Sequence, residues 1–162
     1  METDMEVNFK KIRKGYEQDF HNSSMNGSKK LSFQHEDWIS VLDKPQRDVF
    51  SEIKSVGVWL FPFYPIGNSF INFGNPFSRI GIEIIYKNYK KEKEIRIQEF
   101  EKKGWEVHKI DSIHDTLSIE DLYRKKYNGF LEDLDEEDYL NFLIENKNTN
   151  LDCLLHYLKD RT

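Results

Sequence analysis

The residues best suited to chemistry lie between Asn68 and Tyr86, in the stretch NSFINFGNPFSRIGIEIIY. Glu83 is the one carboxylate there, set in an apolar run, IGIEIIY, that alternates as a β-strand does. Ile82 and Ile84 then face one side of the strand, and Glu83 and Ile85 the other. A carboxylate in such a run needs a base or a cation beside it, because an unpaired buried charge is too costly to keep. Lys87, on the same strand parity, and Arg96, on the following element, are the candidate bases. The run KNYKKEKEIR (Lys87 to Arg96) offers a second kind of chemistry. Lys87, Lys90, Lys91, Lys93 and Arg96 form a candidate phosphate-contacting patch, with Tyr86 and Tyr89 as stacking groups. Its plainer reading is a solvated helix start, since Glu92 and Glu94 interrupt the bases. A third kind lies further on. Glu132, Asp133, Asp135, Glu136, Glu137 and Asp138 crowd one short segment, which is either a solvated turn or a surface for a basic protein partner.

The histidines carry less. His35 stands with Glu36 and Asp37 in HEDW, but neighbours on a helix point in different directions, and acids there suit a helix start. His108 and His114 flank Asp111, and His108 shares a strand side with Glu106 without a second carboxylate to work with. His21 and His156 stand in no constellation. Cys153 lies in a leucine stripe and reads as a small core residue.

The elements that must position Glu83 follow from periodicity and turn chemistry. Met1 to Lys30 is charged and then polar, and HNSSMNGSKK (His21 to Lys30) has a loop's composition, so this part is expected as a short helix on a tether. Ser32 is a candidate N-cap for a helix carrying Phe33, Trp38, Ile39 and Leu42. A second helix opens at Asp43, tolerates Pro45 in its first turn and buries Val49, Phe50 and Ile53. After Gly57, VWLFPFYPIGNSFINF predicts two strands joined by a turn, the first at a sheet edge because of its prolines. Asn75, Pro76 and Ser78 make the next turn, before the Glu83 strand. Lys90 to Lys103 predicts a helix with Ile97 and Phe100 inward and Gly104 as its C-terminal cap, and WEVHKI a further strand. Ser118 caps a helix in SIED, EDLDEEDYLNFLIE becomes amphipathic, and Leu151, Leu154, Leu155 and Leu158 make a helical stripe.

With 162 residues, 38% hydrophobic and 14% aromatic, the chain can bury a core of its own. Its net charge of −5 confines any contact with nucleic acid to a local patch. A single cysteine excludes an internal disulfide, argues against a zinc knuckle and fits a reducing, cytoplasmic setting. No apolar run approaches a membrane span and the N-terminus has no apolar leader, so no membrane partner is expected. The order of helix, three strands, helix and strand resembles the restriction-endonuclease core of the PD-(D/E)XK superfamily. The blocks YPIGNSFINFGNP, IGIEIIY and EIRIQEFEKKGWEVHKI, with Arg96, Phe100, Gly104 and Trp105 at matching spacing, resemble its very-short-patch-repair-like endonucleases. The resemblance covers about Asp43 to Asp111.

That resemblance implies an α/β fold with a central mixed sheet of about four strands flanked by helices, plus a C-terminal helical extension. The expected division is an N-terminal arm or linker (1–31), the core (32–115) and acidic helices packed on it (116–162). It also implies a Mg²⁺ site of an Asp and a Glu on successive strands, where the metal activates water against a phosphodiester. Here Asn72 stands where the Asp belongs, Ile85 where a Lys or acid follows Glu83, and Gln46 and Arg47 where a helix acid is expected, with Asp48 displaced by one residue. A lone carboxylate binds Mg²⁺ poorly, so a degenerate site is expected, with no cofactor, in a protein that binds nucleic acid or a protein in a defence or mobile-element setting. Two alternatives stay open. One is an active divergent nuclease using Glu83, Asn72 and Lys87, with Glu83 as the Mg²⁺ ligand. The other is an acidic immunity or inhibitor protein that neutralises a basic enzyme.

Overall fold

The computed structural model describes residues 4–25, 41–111 and 115–162. His35, Glu36, Asp37, His114 and the helix expected after Ser32 lie outside the described residues, apart from Val41 and Leu42 at the end of that segment. The fold is α/β. Four strands, β1 (Phe61–Ile66), β2 (Ser69–Asn75), β3 (Ile80–Ile85) and β4 (Glu106–Asp111), lie in the order β1-β2-β3-β4. The first two pairings are antiparallel and β3 to β4 is parallel. A parallel neighbour requires a crossover, and α3 (Lys90–Lys102) supplies it. Before the sheet come α1 (Asp4–Met25) and α2 (Lys44–Val56), and after it α4 (Ile119–Tyr127), α5 (Glu136–Asn146) and α6 (Leu151–Lys159).

Strand β3 is buried along its whole length, because helices cover both faces of the sheet. On one face Phe73, Ile80, Ile82, Ile84 and Ile110 meet Val49 and Ile53 of α2 and the stripe Leu151, Leu154, Leu155 and Leu158 of α6. On the other face Tyr64, Ile66 and Ile71 meet Ile12 and Tyr16 of α1 and Phe100 of α3. The leucine stripe is therefore part of the main core. A smaller cluster joins Ile119, Leu122, Phe142, Leu143 and Cys153, tying α4 and α5 to the inner side of α6.

Local chemistry sets the element ends. Asp43 caps α2 in a full capping box: its side chain accepts from the Gln46 N–H, and its own N–H donates to Gln46 Oε1, both at 2.9 Å. Asn75 folds its side-chain oxygen onto the N–H groups of Phe77 and Ser78, which shapes the turn into β3. Gly81 is needed for close approach, since a Cβ there would lie 2.8 Å from the Phe73 carbonyl oxygen.

The N-terminal segment departs from expectation. His21 to Met25, given a loop's composition by Ser and Asn, continues α1 to 22 residues. The reason is tertiary: Ile12 and Tyr16 are fully buried, and the Tyr16 hydroxyl donates to the Pro62 carbonyl at 2.7 Å. Proline leaves β1 with fewer ladder donors, and α1 covers this edge. No helix among the described residues is long and apolar enough to cross a membrane.

Candidate functional site at the fork between β2 and β3

The β2–β3 register runs from Asn75–Ile80 to Phe73–Ile82 and stops one pair short of Asn72 and Glu83. Beyond that point side chains replace the ladder. Glu83 Oε1 accepts the Asn72 backbone N–H at 3.0 Å, and Asn72 Oδ1 accepts the Ile84 N–H at 2.9 Å. The β1–β2 register also skips Phe63 and Asn72, and Phe63 takes a left-handed φ of 48°, rare for an aromatic residue. The sheet thus opens where Asn72 and Glu83 meet, and their side chains satisfy the backbone groups that the opening leaves over.

Glu83 has no solvent exposure. Its partner is Lys93, from the first turn of α3. The ammonium sits 2.6 Å from Glu83 Oε2 and donates also to Asn72 Oδ1 at 3.0 Å. Arg96, one helical turn further on, brings Nη2 within 3.8 Å of the same carboxylate oxygen while its side chain stays partly open to solvent. Burial lowers the Lys93 pKa, against the pull of the Glu83 charge and hydrogen bond, which raise it. Above them Tyr86 donates its hydroxyl to Asp43 Oδ2 at 2.6 Å and holds its ring 6.0 Å from the Lys93 nitrogen. Burial first, and then the Asp43 bond, raise the Tyr86 pKa, so the hydroxyl stays protonated. Tyr86, Glu92, Lys93 and Arg96 line a cleft of about 410 Å³.

The expected site residues divide. Asn72 and Glu83 come together, whereas Lys87 does not join them: β3 ends at Ile85, and Lys87 is exposed at the start of a 3₁₀ turn (Lys87–Tyr89). Lys93, expected in a surface patch, is instead buried and is the nearest base to Glu83, while Arg96, one of the two bases expected there, comes within 3.8 Å. A signal for the buried lysine was present, since the inward positions Ile97 and Phe100, extended back by four residues, land on Lys93. Lys90 and Lys91 are exposed beside the cleft. Asp48 pairs with Lys44 on the surface at 3.0 Å, and Gln46 is spent on capping. The acid of α2 that reaches the site is Asp43, through Tyr86. No sequence signal linked those two residues, which are 43 positions apart.

The remaining candidates lie elsewhere. His108 bonds Glu106 at 2.9 Å, on the same strand side as expected, and Arg161 reaches the other Glu106 oxygen at 3.2 Å. Burial lowers the His108 pKa, which keeps this ring mostly neutral at pH 7. His156 pairs with Asp152 on α6, and His21 is exposed on α1. Burial raises the Cys153 thiol to about 12, which makes it inert as well as buried. The six acids are all exposed: Glu132 and Asp133 in a 3₁₀ turn (Leu131–Asp133), Asp135 as the α5 cap, and Glu136, Glu137 and Asp138 in its first turn.

The donors at the fork do not fit Mg²⁺. Both Glu83 oxygens are already taken, Asn72 Oδ1 accepts two donors, and Ile85 on the same strand face is aliphatic. Among the described residues no three of His, Cys, Asp and Glu are grouped so as to hold a metal ion. No family model and no curated protein matches the chain. Among solved structures it is similar to the catalytic domain of the homing endonuclease I-Bth0305I, at 22% identity and a TM-score of 0.36, over 44% of this chain and 78% of that one.

Proposed function

We propose that the protein is a nuclease-fold domain of the PD-(D/E)XK type that does not cleave, and that it holds a nucleic-acid backbone against the start of α3. One observation carries the first half: the Lys93 ammonium lies against the buried Glu83 carboxylate, where a catalytic cation would have to sit. An internal cation already neutralises that carboxylate. A divalent ion would have to compete with Lys93 or the Asn72 N–H for a Glu83 oxygen, and would still lack a second carboxylate. The sequence blocks favour the very-short-patch-repair-like type within this fold.

The second half is supported by the cleft. Arg96 is held by Glu83 yet reaches solvent, so its fork of donors is pre-oriented for a phosphate. Lys87, Lys90 and Lys91 stand exposed beside it, and Tyr86 offers a ring for a base. Glu92 lines the same cleft one turn before Arg96 and opposes a phosphate at that end. A protein of net charge −5 would meet nucleic acid only through such a face.

The test uses labelled single- and double-stranded DNA with Mg²⁺ or Mn²⁺. No cleavage above a Glu83→Gln control is expected. Retention should weaken as salt rises, with the log–log slope falling by about 0.9 for each duplex phosphate contact removed in a Lys87→Glu/Lys90→Glu/Lys91→Glu variant. Metal-dependent cleavage that Glu83→Gln abolishes would overturn the reading of the site. Binding untouched by the triple variant would overturn the reading of the cleft.

A further inference from the structure

A second cleft, of about 480 Å³, opens between α4 and the 3₁₀ turn that leads into α5, far in character from the basic start of α3. Phe130, Leu131, Leu134 and the Tyr139 ring give it apolar surface. Leu131 and Leu134 turn inward to the small core of α4 and α5, whereas Phe130 remains 60% exposed. Acids Glu120, Glu132 and Glu136 surround this floor, with Arg124 as the single base. Glu120 and Glu136 also favour the N-termini of α4 and α5, which accounts for their type. Glu132 lies in the first turn of a three-residue 3₁₀ helix, too short to build a sizeable dipole, and Phe130 belongs to none of the core clusters. An aromatic ring left in water beside an acid-rimmed hollow is the arrangement of an interface anchor.

We infer that this cleft docks a Lys- or Arg-rich segment of another protein, one carrying a single aromatic or branched aliphatic anchor. The charge decides the class of occupant. Phosphates would be repelled by the rim, whereas a basic segment would be drawn in, its anchor replacing water over Phe130, Leu131 and Leu134. This surface is independent of the α3 cleft, so the chain has a basic face for one partner and an acidic face for another.

Fluorescence anisotropy with a labelled amphipathic peptide of Lys and Leu bearing one central Trp tests the assignment, beside a counterpart with Glu for Lys. The Lys peptide should bind saturably and the Glu peptide should not. Phe130→Ser and Glu132→Lys should each weaken binding about tenfold or more, on the scale of a central interface residue. Leu140→Ser, exposed elsewhere on α5, and Lys90→Glu should leave it unchanged. All four positions lie outside the cores, and circular dichroism checks that each variant folds. Indifference to Phe130→Ser would reduce the binding to bulk charge attraction, and equal loss in Leu140→Ser would place the contact outside the cleft; either result would overturn the proposal. Self-association of the protein that Phe130→Ser abolishes would overturn it in favour of a second copy of the chain.

Discussion

A carboxylate with no access to water must be matched or protonated, and Glu83 is matched by a backbone N–H, an ammonium and a more distant guanidinium. Such a pair adds little net stability compared with apolar residues of the same shape, yet removing one member is costly. Lys93→Met should therefore lower stability by about 3–5 kcal/mol, read from urea unfolding, because it strands the Glu83 charge. A Glu83→Gln/Lys93→Met double variant should recover most of that loss, since Gln keeps an acceptor for the Asn72 N–H. Equal destabilisation in both variants would show that packing of the lysine stem, rather than charge, matters at the fork. The sequence exposed the anomaly of Glu83 and offered Lys87 or Arg96 beside it; Arg96 does approach, but Lys93 is the nearer base. Strand parity pointed to Lys87, and β3 ends before reaching it.

Among the elements, α6 links the main core to the smaller cluster, and its ends are held by polar contacts. Burial is the largest single influence on Asp152 and pushes it up, but the bonds from His156 and from the Ile119 N–H together hold it below its ordinary 3.8. The side-chain bond from Asp152 raises His156 above its ordinary 6.5, against burial. For the histidine, folded-state stabilisation is complete below 6.5 and fades as pH rises through its raised value. For the aspartate it is complete above 3.8 and fades as pH falls through its lowered value. The pair should contribute most between those limits. The stability difference between the wild type and His156→Gln should be greatest at about pH 5 and small by about pH 9, measured by urea midpoints. A difference that stayed constant with pH would assign the effect to packing alone. At this scale the sequence was largely legible. Helical stripes, caps and turn residues placed α2 to α6 and all four strands, because each depends on neighbours within a few positions.

For the whole molecule, α1 is the clearest case of tertiary control. Its Ser- and Asn-containing end reads as loop, yet Ile12 and Tyr16 are buried against the sheet and Arg13 donates to the Gly67 carbonyl at 2.7 Å. Deleting residues 4–25 would expose Phe63, Tyr64 and Phe70, aromatic residues that pack against α1. The truncated protein should melt at lower temperature and bind a hydrophobic dye. Ile12 and Tyr16 alone would contribute about 1.5–3 kcal/mol each of burial. An unchanged melting temperature would mean that the sheet edge needs no cover. The same scale separates the two charged faces, with exposed lysines at the start of α3 and exposed acids ahead of and within the first turn of α5.

By itself the sequence determined the α/β class, the order and type of the elements near the site, and the fact that one carboxylate would be enclosed by isoleucines. Those features follow from periodicity and local hydrogen bonding, which act over a few residues. Only the tertiary structure decided which cation meets Glu83, that Asp43 reaches the site through Tyr86, and that Phe130 stays open beside acids. Each of these depends on where separate elements end and how they cross, and burial turns a small change in that geometry into a different electrostatic partner.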